Sequence, residues 1–147
     1  MISQTAEYAL RAVAALASSP DEPMVTQRIA ELTKVPLGYL SKVLQALGRA
    51  ELVKATRGLH GGFTLARPPA QVTVYDVVQA VEPLQRIRTC PLGLSAHGVR
   101  LCPLHRRLDD AMKLVEDSFR SSTMAELLAE PTRSKPLCSF PLERSKG

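Results

Sequence analysis

Two sets of residues in this chain can do chemistry. The first is its three cysteines, Cys90, Cys102 and Cys138. An odd number of thiols, with no basic segment ahead of the one short apolar run near the start, argues against a disulfide framework and for thiol or metal chemistry. Cys90 and Cys102 share a proline-containing stretch where burial as small apolar side chains is less expected. Cys138 reads as an ordinary tail thiol. The second set is basic. Arg28, Lys34, Lys42, Arg49, Lys54, Arg57 and Arg67 face only Glu31 and Glu51 over the same stretch, which therefore holds the whole formal net charge of +5. Charge concentrated in this way suits a polyanion. With 4% aromatic residues and no Trp, the composition argues against a stacking platform for single strands, and duplexes stay open.

No enzyme is expected. The sequence has no Ser/His/Asp order with a nucleophile elbow, no phosphate-binding loop and no paired carboxylates in a plausible cleft. Asp109, Asp110, Glu116 and Asp117 read as solubilising charges on the polar side of a helix. A composition of 45% hydrophobic and 22% charged residues is that of a folded protein. With 147 residues the expectation is one compact domain with an appended helix or tail. No apolar run approaches the ~20 residues of a membrane span, so a cytoplasmic protein without membrane or small-molecule partners is expected.

The elements that must position these residues can be read from periodicity and punctuation. Ser3 caps a helix running to about Ala17. Thr26 opens a short second helix, closed by Lys34-Val35-Pro36, and a third runs from Pro36 to Arg49 with Leu37, Leu40, Val43, Leu44 and Leu47 as its apolar face. Leu52–Arg57 and Phe63–Ala66 read as strands joined by Gly58-Leu59-His60-Gly61-Gly62. Thr73 caps a helix from Val74 to Glu82, and 83–102 is a loop. From Pro103 a helix of about four turns carries the stripe Leu104, Leu108, Ala111 or Met112, Val115 and Phe119, which needs a partner. Thr123 with Glu126 is a capping-box pattern for a last short helix.

Thr26 to Leu47 fits a helix-turn-helix, with small Ala30 inside the first helix and Ile29, Val35, Leu40 and Val43 inward. A plain three-helix bundle would share that pattern. The glycine-rich hairpin with Lys54 and Arg57 adds the look of a wing able to approach a phosphate backbone.

In this order and at these distances, the helix-turn-helix, the Arg57-Gly58-x-x-Gly61-Gly62 hairpin, the cysteine loop and the long helix resemble the Rrf-type family of winged-helix regulators. Glu7-Tyr8-Ala9-Leu10-Arg11 also looks like the family's opening, and the resemblance covers about Met1 to Pro131. It implies a mainly α fold: a winged helix-turn-helix head with a two-stranded wing, plus a long C-terminal dimerisation helix. The divisions are then 1–82 for the DNA-binding head, 83–103 for a cysteine-bearing sensor loop, 104–130 for the dimerisation helix and short following helix, and 131–147 for a flexible tail. By analogy the third helix enters the major groove and the Gly58, His60, Gly61, Gly62 wing enters the minor groove of a palindromic operator. Lys42, Arg49, Lys54 and Arg57 are then placed for phosphates, and Tyr39, Ser41 and Gln45 for base edges. The homodimer forms through Leu104, Leu108, Ala111, Met112, Val115 and Phe119.

Many members of that family hold an iron–sulfur cluster through three cysteines ahead of the long helix. Cys90 and Cys102 match the outer two, with Cys102 and His105 forming Cys-x-x-His, but the middle position falls at Ala96, beside His97. Relatives complete the site with a first-helix carboxylate, matching Glu7, or with a histidine. The implied set is Cys90, Cys102, Glu7 and either His105 or His97, suited to a 2Fe–2S cluster of raised potential or to zinc. Glu7 can equally be a first-turn acid favoured by the helix dipole, and His105 a solvated residue at a helix start. The reading is a dimeric repressor whose operator affinity responds to an iron–sulfur or redox state. A clusterless regulator with a thiol switch or no sensor, and a metal-stabilised adaptor for an acidic protein, are the alternatives.

Overall fold

Small side chains let helices approach closely, and the first helix is built from them. Helix α1 (Gln4–Ala17) starts at Ser3, whose hydroxyl accepts the Ala6 N–H at 3.1 Å, and it buries Ala9, Ala12, Val13, Ala15 and Leu16. It is the axis against which α2 (Thr26–Thr33), α3 (Leu37–Arg49) and α4 (Val74–Val81) pack. The computed structural model describes residues 2–94 and 100–134, so His97, Cys138 and the tail from 135 onward lie outside the described residues.

The turn between α2 and α3 is made locally. The Thr33 hydroxyl donates to the Ile29 carbonyl at 2.6 Å, Lys34 takes the left-handed conformation at φ 62°, and Pro36 sets the first turn of α3. Ile29, Val35, Leu40, Val43 and Leu47 all reach the core, as the spacing predicts. Each such side chain, fully buried, stabilises the fold by about 1.5–3 kcal/mol.

Strands β1 (Val53–Thr56) and β2 (Gly62–Leu65) pair antiparallel, with Val53 opposite Leu65 and Thr56 opposite Gly62. The hairpin is fastened on its far side too. The Met24 N–H donates to the Phe63 carbonyl at 3.0 Å and the Phe63 N–H to Met24 at 2.8 Å, which ties the wing to the chain entering α2. A 3₁₀ turn at Pro69–Gln71, absent from the sequence reading, leads into α4.

Helices α5 (Pro103–Arg120) and α6 (Met124–Ala129) complete the order. Thr73 with Asp76 and Thr123 with Glu126 form the capping boxes of α4 and α6, and the two threonines lie opposite each other across an isolated bridge. Backbone bonds from Val74 to Ser122 and from Met124 to Val72 hold that bridge. Consequently α6 returns to the head: Met124 is buried in its core, with Leu127 and Leu128 packed against it. The sequence reading had grouped α6 with α5 over 104–130.

Helix α5 buries none of its residues completely, and Leu104 and Leu108 are exposed. Phe119 departs from the expected stripe. It packs against the small cluster of Ala6, Val74 and Val78 in its own head, where α5 lies along α4. No helix among the described residues is long and apolar enough to cross a membrane.

Candidate nucleic-acid interface and cysteine loop

On α3 Leu40, Val43, Leu44 and Leu47 are committed inward, which leaves Ser41, Lys42, Gln45 and Arg49 exposed on the opposite side, whereas Leu37, expected on the apolar face, is exposed at the first turn. Lys42, Arg49, Lys54 and Arg57 make no ion pair among the described residues. The Ser41 hydroxyl donates to the Leu37 carbonyl at 3.2 Å. Ser41, Gln45 and Lys54 also line an open groove of about 530 Å³ between α3 and the wing, together with Thr26 and Phe63. Thr26, the first residue of α2, thus also belongs to this face. Tyr39 stands on the flank toward α1, its ring edge-on to Tyr8 at 5.5 Å between centroids.

The wing tip is a four-residue turn, Gly58-Leu59-His60-Gly61, closed by the Gly61 N–H donating to the Gly58 carbonyl at 3.0 Å. Two of its glycines answer to the chain itself. A Cβ on Gly61 would lie 2.1 Å from the Thr56 carbonyl oxygen, and one on Gly62, at φ 145°, 2.6 Å from the Met24 backbone. The sequence offers these glycines either to the approach of a phosphate backbone or to an ordinary turn, and close packing against the Thr56 and Met24 backbones already demands them. Gly58 has open space around it.

At the cysteine loop, Cys90 is buried and Cys102 half-buried, and both are free thiols. Cys102 caps α5 by its backbone, and its Sγ lies 3.3 Å from His105 Nδ1. Glu7 is engaged elsewhere: its carboxylate meets Arg11 Nε at 2.7 Å. Arg11 also donates to the Thr33 carbonyl at 3.1 Å and lies over the Tyr8 ring. Among the described residues no three His, Cys, Asp or Glu side chains gather as a metal site. Of the implied ligands that are described, Cys102 and His105 are brought within hydrogen-bond reach, and no third donor joins them among the described residues, so the described donors of one chain do not fit a cluster or zinc ion.

The loop is instead anchored by a residue the sequence reading missed. Arg86 Nε and Nη2 donate to the two carboxylate oxygens of Asp109 at 2.7 and 2.8 Å, and the Ile87 N–H donates to the same carboxylate at 2.8 Å. Glu116 Oε2 lies 3.8 Å from Arg86 Nη1. The Arg86 hydrogen bonds, then that of Ile87, hold the Asp109 carboxyl down at about 2, and Asp109 in turn pushes the Arg86 guanidinium further up. Asp109 and Glu116 are thus partners of Arg86 in a largely shielded clamp, correcting their reading as solubilising charges. Asp117 does match that reading. It pairs with Lys113 on the exposed side, which lowers its carboxyl. No signal in the sequence marks Arg86, since its partner is 23 residues away.

A helix-turn-helix with an attached wing and a basic outward face is the form of a winged-helix transcription regulator. The comparisons with known proteins agree. Residues 2–130 match the Rrf2 family, described as an iron-dependent transcriptional regulator, and the chain belongs to that family. Its members are transcription regulators and not enzymes. A putative HTH-type transcriptional regulator of Aquifex aeolicus is 28% identical over 131 residues, covering 87% of this chain and 91% of that protein. The structure is similar to IscR of T. potens, with a TM-score of 0.72 and 26% identity over 87% of this chain and 85% of that one. CymR (YrzC), the global cysteine regulator of B. subtilis, shares the fold at a TM-score of 0.72 and 23% identity, covering 86% of this chain and 95% of that one.

Proposed function

We propose that this regulator binds a palindromic duplex operator as a homodimer in the cytoplasm and represses transcription there. The observation that carries the reading is the unpartnered basic and polar surface of α3 and the wing. Lys42, Arg49, Lys54 and Arg57 neutralise phosphates, while Tyr39, Ser41 and Gln45 meet base edges in the major groove. The wing, including Gly58 and His60, follows the adjacent minor groove. The homodimer closes over the face of α5 formed by Leu104, Leu108, Ala111, Met112 and Val115. Among the described residues Leu104 and Leu108 remain exposed.

Operator affinity responds to the redox state of Cys90 and Cys102. Support for a thiol in place of a cluster comes from the described donors of one chain, no three of which gather. Selection of duplexes from a random pool by the full chain tests the DNA reading. Enrichment of an inverted repeat supports it, and recovery without any shared sequence contradicts it. Iron, sulfide and zinc analysis of anaerobically purified protein tests the sensor. A colourless, metal-free dimer supports the thiol reading, whereas iron with sulfide lost on replacing Cys90 or Cys102 overturns it.

A further inference from the structure

We infer that Leu59, at the tip of the wing, is an apolar wedge that enters a base step of the operator's minor groove, and so selects for steps that unstack easily. This rests on the duplex-binding reading above. Leu59 is 94% exposed and belongs to neither core cluster. An isolated exposed leucine on a helix face would call for no explanation, but this one is at a corner of the Gly58-to-Gly61 turn. Such corners are usually filled by Gly, Pro, Asn, Asp or Ser.

The rest of the hairpin is built to hold that corner out. The turn is closed by its own hydrogen bond, Gly61 is packed against the Thr56 carbonyl, and Gly62 and Phe63 are fixed to the Met24 backbone. Lys54 and Arg57, both exposed, stand behind the tip, where they can neutralise the phosphates flanking a groove. A rigid, basic hairpin ending in one aliphatic side chain has the composition by which minor-groove binders unstack and kink a duplex. The steps that yield most easily are pyrimidine–purine steps such as TA and CA. Leu59 is therefore a specificity-determining residue that reads deformability and not hydrogen-bonding edges, while His60 at the other corner keeps a polar contact with the groove wall.

The test uses the full chain and a duplex selected by it, carrying 2-aminopurine in turn at each step under the wing, with end-labels for bending by energy transfer. Wild-type protein should raise 2-aminopurine fluorescence at one step per half-site by about threefold and bend the duplex. Leu59→Met should keep both signals. Leu59→Ser should abolish them and weaken binding by about tenfold, with the slope of affinity against salt unchanged because no phosphate contact is lost. Equal fluorescence, bend and affinity for wild type and Leu59→Ser would overturn the wedge while leaving duplex binding intact. A flattened salt slope in Leu59→Ser would also overturn it. Absence of salt-dependent duplex binding by the wild type would overturn both readings, and is distinct from either of those results.

Discussion

The two charged regions of this molecule treat their charges in opposite ways. On the α3 and wing surface four cations stand without ion pairs among the described residues. At the junction of the cysteine loop and α5, Arg86, Asp109 and Glu116 satisfy one another and are largely withdrawn from water. Residue type does not separate the regions, since arginines serve in both. What separates them is whether the chain supplies the counter-charge. Where it does, the charges fix geometry; where it does not, they are left for a partner.

Removing the long-helix contact should have the largest effect on this contrast. Leu108→Asp would bury an unpaired charge in the proposed homodimer, and is expected to give a monomer by sedimentation that binds its operator about a hundredfold more weakly. A variant that stays dimeric would move the interface off α5. Gln45→Ala comes next. It should cost about 1–3 kcal/mol of discrimination at one base position in competition titrations, with binding to random duplex unchanged. Equal losses on both duplexes would make Gln45 a backbone contact.

Smaller effects sharpen the other side of the comparison. Arg86→Met opens the clamp, so Cys90 should react with a thiol reagent about tenfold faster while duplex binding by the reduced protein is retained. An unchanged rate would mean that the loop is held by something else. Arg57→Ala should weaken binding to every duplex alike and reduce the salt slope by about one unit per protomer. The smallest change is expected with pH. The Asp109 carboxyl is depressed, so its stabilising contribution is fully present above the ordinary carboxylate range and is lost only as pH falls through about 2. A carbon-detected titration of that carboxyl should be flat from about pH 4 to 8, and a midpoint near the ordinary aspartate value would contradict the clamp.

Much of the head was legible because its signals are local. Ser3, the capping-box threonines and Pro36 mark helix starts within three residues of themselves, and the three-and-four spacing of Leu40, Val43, Leu44 and Leu47 defines a buried face directly. The parts that were not legible depend on distant partners. Asp109 looks solvated until Arg86, 23 positions earlier, is folded onto it. Phe119 keeps the period of the α5 stripe but packs on the cluster of Ala6, Val74 and Val78, which only the return of the chain along the head can bring near. Gly61 and Gly62 look like ligand-facing glycines until the Thr56 and Met24 backbones are seen beside them. In the site, Cys102 and His105 stand together as the Cys-x-x-His of the family resemblance implies, while the pairing of Glu7 with Arg11 was hidden by its equal fitness as a ligand.

The most direct test of the duplex-binding surface is a titration of the full chain against a selected and a scrambled duplex over about 50 to 300 mM salt. Wild type is compared with a variant in which Lys42, Arg49, Lys54 and Arg57 are all alanine and whose helical content is checked first. The expected result is a steep wild-type salt dependence that loses about 0.9 of its slope for each phosphate contact removed, together with loss of affinity for both duplexes. Superimposable titrations from two equally folded proteins would contradict the assignment of this surface to DNA.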